Sequence, residues 1–192
     1  MNIIYALIDR ELLTRYDIPL ERLLDFLNTH AIPIAQYRDK HSSDAEVAQA
    51  LETIRSRYRG TLIVNDRLAL TPLADGLHLG QEDLAALDCD PAAAVAKVRE
   101  AIGEKLLGLS THDAEEIAAA NTLDLDYIGL GAYRPTTTKA DAVTRGEALL
   151  EVARASRHPV AIIGGVRWED EFPEPIRYKV LGSALFERVA AS

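Results

Sequence analysis

Short, uninterrupted apolar runs recur along this chain, and they constrain its fold more than any other feature. They are Ile3–Ile8, Pro33–Tyr37, Leu62–Val64, Leu77–Leu79, Leu106–Ser110, Tyr127–Gly131, Val160–Ile163 and Lys179–Gly182. Strands buried on both faces read this way, whereas half-solvated strands alternate apolar with polar residues. Most of the runs are separated by amphipathic helical patterns. Leu20, Leu23, Leu24 and Leu27 form a helical stripe over Pro19–Asn28. Ser43 or Asp44 caps a helix running to about Arg57, and Asp90-Pro91 opens another that ends at Ile102-Gly103. Asp113 with Glu116 has the form of a capping box, and Thr144–Ser156 and Ala184–Ala190 read as the last two helices. Pro72 restricts the connection between the third and fourth runs to a short helix. Eight parallel strands with helical crossovers fit a closed (β/α)8 TIM barrel, small at 192 residues and expected as a single domain over 1–192.

A barrel of this kind places its active site at the C-terminal ends of its strands. The runs ending near Val64 and Leu79 each deliver a carboxylate just beyond that end, Asp66 and Asp83. Taken singly, Asn65-Asp66 reads as a turn and Asp83 as a helix cap. Taken together on one rim, two carboxylates suit a hard divalent cation such as Mg²⁺. The second run ends in Gln36-Tyr37-Arg38-Asp39-Lys40, and alternation puts Gln36, Arg38 and Lys40 on one side. Those three read either as a solvated strand end or as an anion-binding prong in which Arg38 grips phosphate oxygens. The remaining unusual residues on the rim are Ser110, the loop Thr136 to Lys139, Gly164-Gly165 and Gly182-Ser183. His112 is expected to be a loop residue.

The balance of 21 basic against 30 acidic side chains, net −9, argues against a general nucleic-acid or anionic-membrane surface. It leaves room for a local cationic site for an anionic small molecule. One cysteine, Cys89, permits no internal disulfide. No apolar run approaches the ~18 residues of a membrane span, and the N-terminus has no basic leader, so the expected location is cytoplasmic.

With these residues in hand, the chain resembles the thiamine-phosphate synthase family, whose fold is shared by the thiazole tautomerases. The matching motifs are QYRDK (Gln36–Lys40), VNDR (Val64–Arg67), ADGLHLGQED (Ala74–Asp83), LGLSTH (Leu107–His112), DYIGLGAYRPTTTK (Asp126–Lys139) and IGGV (Ile163–Val166). The resemblance implies a transferase of thiamine biosynthesis. It would join 4-amino-2-methyl-5-hydroxymethylpyrimidine diphosphate to a carboxylated thiazole phosphate, giving thiamine phosphate, pyrophosphate and CO₂ through a pyrimidinylmethyl cation. It further implies that Asp66 and Asp83 hold Mg²⁺, and that Arg38, Lys40, Asn65 and Lys139 surround the pyrophosphate with Gln36 and Ser110 beside them. Arg38, Lys139 and Ser110 would act in catalysis. Thr136, Thr138, Gly165, Ser183 and Ala184 would bind the thiazole phosphate. The partners implied are those two small molecules, with no nucleic acid and no membrane; a homo-oligomer is compatible with the sequence. Two alternatives stay open: a thiazole tautomerase, and a non-catalytic barrel that binds thiamine precursors. The chain departs from the family between Gly165 and Lys179, where Pro173 and Pro175 leave room for about one turn of helix. The seventh helical unit is therefore expected to be shortened.

Overall fold

The computed structural model describes residues 1–135 and 146–192. Eight strands, β1 (Ile3–Asp9), β2 (Ile34–Arg38), β3 (Thr61–Asn65), β4 (Gly76–Leu79), β5 (Leu106–Thr111), β6 (Tyr127–Leu130), β7 (Val160–Ile162) and β8 (Ile176–Leu181), close into a barrel in sequence order. Every neighbouring pair is parallel, and β8 returns to β1 with Tyr5 opposite Val180. The expected TIM barrel is thus the observed one.

Alternation along each strand sorts the side chains into two cores. Tyr5, Leu7, Ile34, Ile63, Tyr127, Ala161 and Val180 fill the barrel interior. The alternate strand residues, including Ala6, Ile8, Ala35, Tyr37, Leu62, Val64, Leu77 and Leu79, face outward and pack under the helices. Because both faces of each strand are covered, the runs carry few polar residues until they reach the rim.

The helices are α1 (Arg10–Arg15), α2 (Leu20–Thr29), α3 (Asp44–Arg57), α4 (Gln81–Leu87), α5 (Pro91–Ile102), α6 (Ala114–Ala120), α7 (Ala148–Ala153) and α8 (Ser183–Ala190). Ser43 closes a full capping box with Glu46 on α3. Asp113 caps α6, but Glu116 turns to the His112 N–H at 2.7 Å instead of completing the box. The Pro72 connection holds only a 3-10 helix, Leu68–Leu73.

Strand β1 ends at Asp9, whose carboxylate then caps α1 by accepting from the N–H groups of Glu11 and Leu12. Gln81–Leu87 forms the helix that Asp83 was expected to cap, with Asp83 in its first turn. Strand β8 begins at Ile176, three residues before the apolar run, since its exposed Arg177 and half-buried Tyr178 mask it in the sequence. The helix expected from Thr144 is described as α7; positions 144 and 145 lie outside the described residues. Between β7 and β8 no helix occurs, so the unit expected to be shortened to about one turn has none. No helix among the described residues is long and apolar enough to cross a membrane.

Candidate functional site

The C-terminal strand ends surround a cavity of about 480 Å³. Gln36, Arg38, Lys40, Asn65, Asp66, Asp83, Ser110, Gly165 and Ser183 all line it. Thr136, Thr138 and Lys139 lie outside the described residues. Ala184 does not line this cavity; it borders a separate groove on the outside of the barrel.

On one side of the mouth, β3 and β4 bring two carboxylates together. Asp66 follows β3 in the left-handed backbone region, φ 61°, a conformation that costs a non-glycine residue unless its surroundings hold it. Its N–H donates to the His78 carbonyl at 2.9 Å, and the Asn65 amide donates to its carboxylate. Asp83, at the third position of α4, accepts the Gly80 N–H at 3.2 Å, so it serves as a cap as well as a rim acid. Burial, and then the neighbouring Asp83 charge, push the Asp66 carboxyl above its usual range, against the pull of Asn65 and Lys40. Two carboxylates in contact lack a positive charge between them. A divalent cation with hard-oxygen preference supplies it, and Mg²⁺ commonly takes one or two carboxylates and completes its shell with water and phosphate oxygens. The donor set therefore fits Mg²⁺. Among the described residues no group of three or more His, Cys, Asp or Glu side chains is assembled for a cation.

Next to this pair stands the cationic prong. Arg38 and Asp9 are register partners on β2 and β1, and their side chains form an ion pair in which Asp9 is 2% exposed. One carboxylate oxygen of Asp9 caps α1 while the other holds Arg38. The sequence reading missed this acid, although it ends its strand as Asp66 follows β3. Arg67, from the VNDR motif, turns away from the cavity and ties the β2 and β3 loops through the carbonyls of Asp39 and Ser42 and the Asp44 carboxylate.

Below the rim, a buried polar chain crosses the barrel. The Gln36 amide donates to the Tyr5 hydroxyl at 2.8 Å, and the Tyr5 and Tyr127 hydroxyls are 2.9 Å apart. His78 Nδ1 lies 3.1 Å from the Tyr127 hydroxyl, and its Nε2 lies 3.0 Å from Ser110 Oγ. With Gln36 donating at one end, each hydroxyl donates to the next. Nδ1 then accepts, Nε2–H donates to Ser110, and the Ser110 hydrogen is left for a ligand. Burial holds the imidazole down at about 4, so it is neutral at physiological pH. Gly108 is required beside it, since a Cβ there would lie 2.3 Å from the Tyr127 ring and 2.5 Å from His78 Nδ1. In the sequence, His78 and Tyr127 look like ordinary strand residues; only their inward register marks them.

The opposite side of the mouth is built from backbone. Gly164 and Gly165 have φ of 94° and 62°, and a Cβ on Gly165 would sit 2.6 Å from that of Arg134. Glycine is needed here because the β6 loop crosses so closely. Among the described residues neither the Gly165 nor the Val166 N–H has an acceptor. Ser183 and Ala184 open α8, where first-turn N–H groups lack intrahelical partners. The Gly165, Val166 and Ser183 backbones line the cavity beyond the seventh and eighth strands, where barrels of this kind frequently place a phosphate site.

Comparison with known proteins identifies the family. The family model described as thiamine monophosphate synthase matches residues 4–189. The chain is 39% identical over 170 residues to a thiamine-phosphate synthase of Persephonella marina, covering 85% of this chain and 76% of the relative. It is 35% identical over 170 residues to one of Clostridium tetani, with the same coverage of both chains. Among solved structures, a thiamine phosphate pyrophosphorylase from Pyrococcus furiosus superposes with a TM-score of 0.75 at 22% identity, covering 98% of this chain and 95% of that one, a likeness of fold. On the family match and the shared identity, the chain belongs to the thiamine monophosphate synthase family.

Proposed function

We propose that this protein is a thiamine-phosphate synthase, a transferase that joins a hydroxymethylpyrimidine diphosphate to a thiazole phosphate. The observation that carries the reading is the division of the cavity mouth. The Asp66–Asp83 pair, Asn65, Arg38 and Lys40 stand on one side, and the backbone of Gly165, Val166 and Ser183 stands on the other. Two anionic groups therefore have separate seats, one cation-lined and one N–H-lined.

In this reading the pyrimidine diphosphate takes the first seat. The bond between its methylene carbon and the bridging oxygen breaks, and the electron pair leaves on pyrophosphate. Arg38 and Lys40 oppose the growing negative charge, with Lys139 assigned the same role from its motif. Asp66 and Asp83 would hold Mg²⁺, which when bound neutralises pyrophosphate oxygens. The Asn65 amide and the Ser110 hydroxyl orient polar groups of the same substrate. The aromatic, water-poor barrel floor beneath them shields the pyrimidinylmethyl cation from hydrolysis. The thiazole phosphate, anchored in the second seat, directs its ring nitrogen at that cation, and the nitrogen lone pair forms the new C–N bond. In the carboxylated thiazole, loss of CO₂ leaves an electron pair on the ring carbon, which takes up a proton. A neutral ring nitrogen needs no general base.

The test is to incubate both substrates with the protein and Mg²⁺ and to follow thiamine phosphate and pyrophosphate together. Equal amounts of the two are expected. Isomerisation of the thiazole without pyrimidine diphosphate would mark a tautomerase instead, and binding of precursors without either product would mark a non-catalytic barrel.

A further inference from the structure

Where most units of the barrel place a helix, the segment after β7 is fastened by side chains. Lys179 lies on the outward face of β8 at 4% exposure, and its ammonium donates to the carbonyls of Trp168 at 2.6 Å and Asp170 at 2.9 Å. Asp170 in turn meets Arg134, from the β6 loop, as a two-pronged pair with N–O distances of 2.5 and 3.0 Å. The Arg167 N–H donates to the same carboxylate at 2.8 Å. Arg134 also reaches the glycine turn: its Nη1 donates to the Gly165 carbonyl at 3.0 Å, and its backbone N–H donates to the Gly164 carbonyl at 2.9 Å.

Holding a carbonyl fixes the N–H of the same trans peptide, which points the opposite way. Gripping the Gly165 carbonyl therefore sets the Val166 N–H, and gripping the Gly164 carbonyl sets the Gly165 N–H. Both residues line the cavity. Two consecutive glycines would otherwise sample many conformations. A helix beyond this turn would normally help to fix it; here a fork between Arg134 and Asp170 does so.

We propose that Arg134 and Asp170 are positioning residues for the thiazole phosphate, orienting the Val166 N–H through the Gly165 carbonyl. The proposal rests on the functional reading above. Neither residue reaches the reacting atoms in this role. Calorimetric titration of thiazole phosphate into the wild type, Asp170→Asn and Arg134→Lys tests it, alongside KM for each substrate and Tm. Both variants are expected to weaken thiazole-phosphate binding and raise its KM about tenfold or more, the scale of losing a hydrogen bond to a charged group. The KM for pyrimidine diphosphate should stay within about twofold. Lysine should not rescue, because one ammonium cannot hold both carboxylate oxygens and the Gly165 carbonyl. The double variant should be no worse than the singles, since the two residues serve one contact. A lowered Tm with unchanged thiazole-phosphate KM would make the fork a structural staple and overturn the proposal, as would an equal rise in both KM values. If wild type takes up no thiazole phosphate, the functional reading falls with it; if wild type binds and the variants bind equally well, only the positioning role falls. Should Asp170→Asn not fold, Arg134→Lys decides alone.

Discussion

The buried imidazole of His78 makes the stability of this barrel depend on acid. In the unfolded chain a histidine titrates near 6.5, whereas burial depresses His78 to about 4. Between those values the unfolded state binds a proton that the native state refuses, so stability falls as the pH falls. The contribution is fully present above 6.5 and is lost as the pH drops through about 4. The interval is worth ~3 kcal/mol. The hydrogen-bond chain opposes protonation as well. A charged imidazole donates from both nitrogens, so Tyr127 could no longer donate to Nδ1, and the Gln36–Tyr5–Tyr127 chain would have to reverse.

The assay is urea unfolding of wild type and His78→Gln at a series of pH values from 7.5 to 4. Glutamine can donate to one neighbour and accept from the other but does not titrate, so the carboxylates contribute alike to both curves. Lost ring packing lowers the variant at every pH. The difference between the two proteins should shrink by ~3 kcal/mol from pH 7 to pH 4. Parallel curves across that range would refute the reasoning, because they would mean that His78 is already charged in the native state or is solvated in it.

The carboxylate pair gives a prediction in the opposite direction. Asp66 is raised by burial and Asp83, so its ionisation penalises the metal-free protein at neutral pH; Asp66→Asn should raise Tm at pH 8 while abolishing any rise caused by Mg²⁺, and a fall in metal-free Tm would show that the pair does not repel. Asp66→Asn and Asp83→Asn should each cut turnover strongly, and their effects should not multiply, since they serve one ion. Arg38→Lys should lose about 10²–10³ in turnover, as a point charge cannot serve both Asp9 and an incoming phosphate; wild-type rates would remove Arg38 from its role. Ser183→Pro deletes the first N–H of α8, on a residue that lines the cavity, and should raise the KM for thiazole phosphate more than that for pyrimidine diphosphate, which steady-state titration of each substrate would show.

What could be read in the sequence, and what could not, follows from how a barrel uses its strands. A strand covered on both faces has no reason to carry polar side chains until it emerges, so Arg38, Asp66, Asp83 and Ser110 stood out against apolar runs and shared one rim. The shortening after β7 was legible from Pro173 and Pro175, but the full absence of a helix there was not, since the prolines leave room for about one turn. Pairing across the barrel was not legible. Asp9 looked like a strand end, yet it divides its two oxygens between a helix cap and Arg38, a partner 29 residues away. His78 and Tyr127 looked like packing, yet His78 meets Ser110 on the neighbouring strand, and Tyr127 meets Tyr5, which closure of the barrel brings within reach. Lys179 is the sharpest case. A lysine in an outward strand position contradicts an apolar crossover face, and it becomes intelligible once the crossover is a loop. Without helical hydrogen bonds, the Trp168 and Asp170 carbonyls need a donor, and the buried ammonium provides it. The lysine and the loop whose carbonyls it holds thus go together. Lys179→Met, which keeps the length and removes the donor, should destabilise the loop by more than a restored apolar face returns, leaving a net loss of about 1–3 kcal/mol in urea unfolding. A gain in stability would show that water satisfies those carbonyls and that the lysine is incidental.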